Sequence, residues 1–208
     1  MRLFRPRFIA GWLYPDALFR VKTNEKILCL TFDDGPDTDS TPVLLDILYK
    51  YGVKAVFFCN GVSAEQHPEL VNRIRTQGHL TGNHGYSHPD GWRTSVGNYI
   101  NDVFKSAPFT SCHLFRPPFG HLRLSQYRKL KRTYKIVFWD LMPYDFDTSF
   151  GSKNSLIILE KKIRPGSIIV LHDTNKTNAL VFIEEFIIFA KNEGFRFDIS
   201  FLSESTAN

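Results

Sequence analysis

The stretch that decides the fold is "KILCLTFDDGP", residues 26–36. Its first half is a continuous apolar run, the pattern of a strand buried on both faces. Its second half sets two carboxylates side by side where the strand breaks into a glycine-proline turn. Asp, Gly and Pro are ordinary turn residues, so the turn by itself implies no chemistry. The residues that follow extend the pattern. "TPVLLDILYKYG" (41–52) has helical periodicity, with Thr41 able to cap, Pro42 in the first turn and Gly52 at the end. "KAVFFCN" (54–60) is then a second buried strand. Strand, helix and strand in this order imply parallel strands joined by a right-handed crossover.

The alternation continues to the end of the chain. Helices are expected at 67–78, 97–106, 125–133, 154–163 and 178–194. Strands are expected at "HLTGN" (79–83), "HLFRPPFG" (113–120), "KIVFWDL" (135–141), "SIIVLHD" (167–173) and "FRFDIS" (195–200). The class is α/β with about seven parallel strands. Periodicity leaves open whether the sheet closes into a barrel or stays open and doubly wound. In both cases functional side chains gather at the carboxyl ends of the strands.

The chain has 208 residues, 43% of them hydrophobic, which suits one domain with a sizeable core. The net charge of +5 is mild, and no Lys/Arg block is long enough to track nucleic acid. Three cysteines, Cys29, Cys59 and Cys112, are too few and too scattered for a disulfide framework or a cysteine zinc site. Cys29 and Cys59 sit in apolar runs and read as small buried hydrophobes. The first 24 residues form an arm ahead of a domain spanning 25–208. Its apolar run "FIAGWLY" is short and interrupted at Pro15–Asp16, unlike a secretory signal. The arm is expected to pack across one barrel end or to touch a membrane surface peripherally. The corresponding location is the cytoplasm or the inner membrane surface.

Ionisable residues follow five of the strands: Asp33 and Asp34, then His84 and His88, then Arg116, then Asp140 and Asp145, then His172 and Asp173. His84 and His88 stand four apart in "GNHGYSHPD", a spacing that one helical turn places on one side. Two unrelated loop histidines are the plainer reading. With a carboxylate from strand one they would make a two-His, one-Asp set, a catalytic rather than a structural zinc pattern. One aspartate of the pair would then bind metal. Its neighbour would be free to take a proton, steadied as an anion by Arg116. His172 can protonate a leaving group, or it can be a structural cap on the next helix. Asp173 or another nearby carboxylate would keep it charged. The set describes hydrolysis of an amide or ester by activated water. No serine or cysteine sits in a nucleophile elbow.

In order, "TFDDGP", "NHGYSHPD", "RPPFG", "WDLMPYDFD" and "IIVLHD" resemble the five motifs of the polysaccharide deacetylases, carbohydrate esterase family four. The resemblance spans residues 27 to about 198. It implies a distorted (β/α) barrel. It implies Asp33 as catalytic base, Asp34, His84 and His88 as ligands of one divalent metal (zinc, or cobalt or another divalent ion), and His172 as catalytic acid. Arg116 would steady Asp33, and Asp145 would tune both the arginine and the acid. Leu171 with Trp139 or Ile169 would line the pocket for the acetyl methyl. The backbone N–H near Phe119 would help to hold the oxyanion. The implied substrate is an acetylated carbohydrate, with N-acetylhexosamine units leading. An O-acetylated polysaccharide such as acetylxylan, or a catalytically silent carbohydrate-binding relative, is the alternative.

The chain departs from the family pattern at four places. Gly85 stands where Ser or Thr is usual, which removes one loop-bracing hydrogen bond. Phe119 stands for Tyr, Met142 for Asp, and Phe146 for Trp. Aromatic residues around Tyr86–Trp92 and Tyr144–Phe150 are available to stack on sugar rings or to pack a rim.

Overall fold

The computed structural model describes residues 4–5, 8–111 and 113–203. Cys112 lies outside the described residues. Seven strands form one sheet: β1 (Ile27–Asp33), β2 (Val56–Cys59), β3 (Leu80–Asn83), β4 (Leu114–Phe115), β5 (Lys135–Ile136), β6 (Ser167–His172) and β7 (Arg196–Phe197). The order is β5-β4-β3-β2-β1-β6, with β7 against β1, and every strand pair is parallel. Beyond β5, Asp140 N–H donates to Ile168 and Val170 N–H donates to Leu141, which closes the curled sheet against β6. The distorted barrel of about seven parallel strands is therefore present.

β1 is buried along its whole length, as its unbroken apolar run requires. The expected strands at 113–120 and 135–141 keep only two ladder residues each. Pro117 and Pro118 have no N–H to donate, so the first of them leaves the ladder and turns through residues 118–120. The helices are α1 (Phe8–Leu13), α2 (Ser40–Lys50), α3 (Gly61–Gln66), α4 (Pro68–Thr76), α5 (Val96–Ser106), α6 (Leu124–Leu130), α7 (Ser152–Lys162), α8 (Ala179–Asn192) and α9 (Ser200–Ser203). The polar run "GVSAEQ" carries no apolar period, yet it forms α3 because Asn60 accepts from Val62 N–H at 3.0 Å and caps it. On α8, Phe182, Ile183, Phe186, Ile187 and Ala190 make one buried stripe at helical spacing. Truncating Phe186, which is fully buried, would cost about 3–5 kcal/mol.

Within the arm, Leu18 N–H donates to Ile136 and Leu18 C=O accepts from Phe138, while Val21 N–H donates to Gly166. Residues 18–21 thus span the seam between β5 and β6. Phe19 stacks on Phe138, and Tyr14 packs edge-on against Tyr127. Trp12 is left exposed. Among the described residues no helix is long and apolar enough to cross a membrane.

Candidate active site

The parallel register brings the strand ends to one level. Asp33 on β1 is the Cα partner of His172 on β6. Asn83 at the end of β3 pairs with Phe115 of β4, so His84 and Arg116 leave the sheet side by side. These ends open into a cavity of about 450 Å³, lined by Asp33, Asp34, His84, His88 and His172 among others.

Ligand atoms of Asp34, His84 and His88 all lie within 4.8 Å of one another. Asp34 Oδ1 is 3.1 Å from His88 Nε2 and 3.5 Å from His84 Nε2. The atom is buried and, apart from these two imidazoles, has no partner, an environment that suits a bound cation. His84 Nδ1 lies 2.8 Å from the Arg116 carbonyl, which fixes that nitrogen as the donor and turns the Nε2 lone pair inward. Burial pushes the His84 pKa down against the pull of Asp33 and Asp34, favouring the neutral ligand form. Burial raises Asp34, but the imidazoles of His88, His84 and His172 outweigh it and hold the carboxyl well below the usual range. Asp34 and His88 have φ of 77° and 56°, a conformation that non-glycine residues keep where surrounding structure imposes it. The donor set fits one divalent cation.

Beside the triad, Arg116 is fully buried. Its Nη1 donates to Asp33 Oδ1 at 2.7 Å and to Thr31 Oγ1 at 2.7 Å. Its Nε and Nη2 donate to the Val137 and Phe138 carbonyls at 3.2 and 2.9 Å. The guanidinium also lies over the Phe58 ring. Asp33 Oδ1 is thereby fixed, and Oδ2 faces His84 Nε2 at 3.9 Å. Asp145, by contrast, makes no hydrogen bond or ion pair with Arg116 among the described residues. Its two oxygens accept from the backbone N–H and the ring Nδ1 of His172, at 2.7 and 3.0 Å. The expectation that Asp145 tunes both partners thus reduces to one: it serves His172. Burial opposes a charged His172, yet Asp145, helped by Asp34 and Asp33, raises its pKa to about 9. The ring is paired with a carboxylate and is not a helix cap. Nor is Asp173 its partner. That carboxyl points to the opposite side, bonded by Ser40 and Thr41 hydroxyls at 2.6 and 2.5 Å, and burial raises it to about 7.

The apolar wall corrects two further expectations. Leu171 and Ile169 are fully buried in the core and do not reach the cavity. Strand alternation turns the residue between them, Val170, toward it, together with Trp139 and Met142. Phe119 lines the cavity edge and meets the His88 ring at 4.5 Å, while Phe146 meets the His172 ring at 5.0 Å. Gly120 is required here, because a Cβ would lie 2.6 Å from the Trp139 ring.

Two residues given no role by the sequence reading, Asn83 within the histidine motif and Asp102 outside every motif, complete the site. Asn83, fully buried, accepts from Gly85 N–H at 2.8 Å and donates to the Val103 carbonyl at 2.8 Å. Asp102 on α5 accepts from Tyr86 N–H at 2.7 Å and from the Ser87 hydroxyl at 2.6 Å. It ties down the loop between the two histidines from outside, which answers the missing side chain at Gly85. The positive φ of 78° at Gly85 and the Asp102 carboxylate 3.2 Å from where its Cβ would be both favour glycine.

A family profile described as polysaccharide deacetylase matches residues 20–136. A peptidoglycan-N-acetylglucosamine deacetylase of Bacillus cereus is 34% identical over 158 residues, 73% of this chain. The chain spans 57% of the length of that relative. The peptidoglycan-N-acetylmuramic acid deacetylase PdaA of Bacillus subtilis is 32% identical over 193 residues, covering 88% of this chain and 73% of the relative. A crystal structure of a peptidoglycan N-acetylglucosamine deacetylase superposes with a TM-score of 0.85 at 29% identity, covering 93% of this chain and 94% of the other.

Proposed function

The chain belongs to the polysaccharide deacetylase family, and from that premise we propose that it hydrolyses N-acetyl groups on hexosamine units of a glycan, using a divalent cation held by Asp34, His84 and His88. The observation that carries the reading is the orphaned Asp34 oxygen between two imidazoles, set beside a carboxylate–arginine pair and a histidine–carboxylate pair in one cavity. When bound, the cation, for which zinc is our assignment, supplies Lewis acidity to the acetyl carbonyl and acidifies the attacking water.

The protein's own groups divide the remaining work. Trp139, Met142 and Val170 receive the acetyl methyl, and their apolar surface excludes bulk water. Asp33 Oδ2 takes a proton from the attacking water, and Arg116, donating to Oδ1, orients the carboxylate. The Phe119 N–H helps to stabilise the oxyanion. His172, with Nδ1 held by Asp145, presents its Nε2 proton to the departing nitrogen. An amine departs only once protonated, so an imidazole held charged near neutral pH favours an amide over an ester substrate.

The purified protein should bring down close to one divalent ion per chain and release acetate from N-acetylated chitooligosaccharides. A chelator should abolish release, and zinc or cobalt should restore it. Chelator-insensitive release from a metal-free protein would sink the cation assignment. Faster release from acetylxylan than from any N-acetylated sugar would move the chain to O-deacetylation.

A further inference from the structure

The cavity continues beyond the metal triad along a row of rings. Phe119 meets His88 at 4.5 Å, and His121, which also lines the cavity, lies 5.8 Å from Phe119. His121 in turn stacks on Trp92, with centroids 3.6 Å apart and planes within 11°. Trp92 is 57% exposed, so one indole face is covered by the imidazole and the other is open.

An exposed indole on a free loop would be unremarkable surface. This one is held from several directions. Trp92 N–H donates to Asp90 Oδ1 at 2.8 Å, and His121 Nδ1 lies 3.0 Å from the same oxygen. The Arg123 guanidinium donates to the Trp92 carbonyl. Gln126, fully buried, donates to the Gly91 carbonyl at 2.9 Å and the Thr94 carbonyl at 3.3 Å, while its own oxygen accepts from Arg123 N–H at 2.8 Å. Gly91 packs so closely on His121 that a Cβ there would run into the His121 carbonyl. Residues 90–94 and 121–126 therefore act as one braced unit, and the ring stack exists before any ligand arrives.

We infer that Trp92 and His121 form a glycan subsite beside the catalytic cavity, which takes a pyranose ring next to the unit being deacetylated. This rests on the reading of the substrate as a glycan. A pyranose offers a face of C–H groups ringed by hydroxyls. The open indole face matches the C–H groups, and the part-exposed Asp90 carboxylate at its edge matches the hydroxyls. Preorganisation by the braced loops removes much of the ordering cost of binding. The consequence is a preference for oligosaccharides over single sugars.

The test compares wild type, Trp92→Ala and Trp92→Phe, each zinc-loaded, on N-acetylglucosamine and on its β-1,4-linked tetramer. In wild type kcat/KM should favour the tetramer. Trp92→Ala should lower kcat/KM on the tetramer roughly tenfold more than on the monosaccharide, the loss typical of truncating an aromatic anchor. Trp92→Phe should recover most of that difference, which a merely structural role would not explain. An unchanged tetramer-to-monosaccharide ratio in Trp92→Ala would overturn the subsite. Calorimetric binding of the tetramer to Asp33→Asn, with and without Trp92→Ala, measures the same loss in the absence of turnover. If wild type releases no acetate but tetramer binding weakens roughly tenfold in Trp92→Ala, the catalytic reading falls and the subsite stands.

Discussion

The two ion pairs in the cavity are mirror images. In one, a buried guanidinium grips a carboxylate; in the other, a buried carboxylate grips an imidazole. Arg116 and Asp145 are both fully buried, while Asp33 and His172, register partners on β1 and β6, face the cavity. Each hidden partner fixes the orientation of the visible one. Arg116 fixes the Asp33 carboxylate through Oδ1 and leaves Oδ2 toward His84. Asp145 fixes the His172 ring and favours its charged form. What differs is the charge that is concealed, and on the proposed reading that difference suits Asp33 to the part of base and His172 to that of acid.

The largest effect should come from the proposed base. Asp33→Asn keeps the hydrogen bond to Arg116 but cannot take a proton, so kcat should fall by about 10² to 10⁴ with zinc retained. Asp34→Asn should lose the zinc as well. Atomic absorption on both variants, alongside acetate release, separates them. Zinc lost from Asp33→Asn and kept by Asp34→Asn would reverse the roles of the two aspartates.

On the other side of the comparison, the loss should depend on the leaving group. His172→Ala should reduce kcat/KM by about 10² on an N-acetylated sugar. An aryl acetate, whose leaving group needs no proton, should suffer far less. Equal losses on the two substrates would mean that the ring does not protonate the departing nitrogen.

Much of this was legible in the sequence because it depends on strand ends. The apolar runs place Asp33, Arg116 and His172 at one level whatever the sheet's closure. The errors share one physical cause. β6 is buried on both faces, so its residues carry no polar alternation to say which of them face the cavity. That hid Val170 behind Ile169 and Leu171. Asp173 also looked like the partner of His172 by adjacency, although neighbours along a strand point to opposite sides. Asp102 sits on a helix face, where contact is made by folding and leaves no periodic trace, and the aromatics around Trp92 left sugar stacking and rim packing equally open.

The smallest effect is expected outside both pairs. Asp102→Ala should loosen the loop carrying His84 and His88 and weaken zinc affinity by about 10–100-fold. With zinc saturating, kcat should stay within a few-fold of wild type. A kcat collapse at saturating zinc would show that Asp102 does more than brace the loop.

The central claim is that a hidden carboxylate keeps His172 charged, and NMR titration of its imidazole in the chelated protein measures this directly. Sign follows from the pairing: the proton is held at neutral pH and leaves as pH rises through about 9. The pair's contribution to stability is therefore complete below the unfolded imidazole's pKa of about 6.5 and is lost as pH climbs through the folded value. In Asp145→Asn the midpoint should drop, because burial then acts with less opposition. A wild-type midpoint near 9 that falls in Asp145→Asn is the predicted result; a midpoint at or below about 6.5, unmoved by the substitution, would contradict the account.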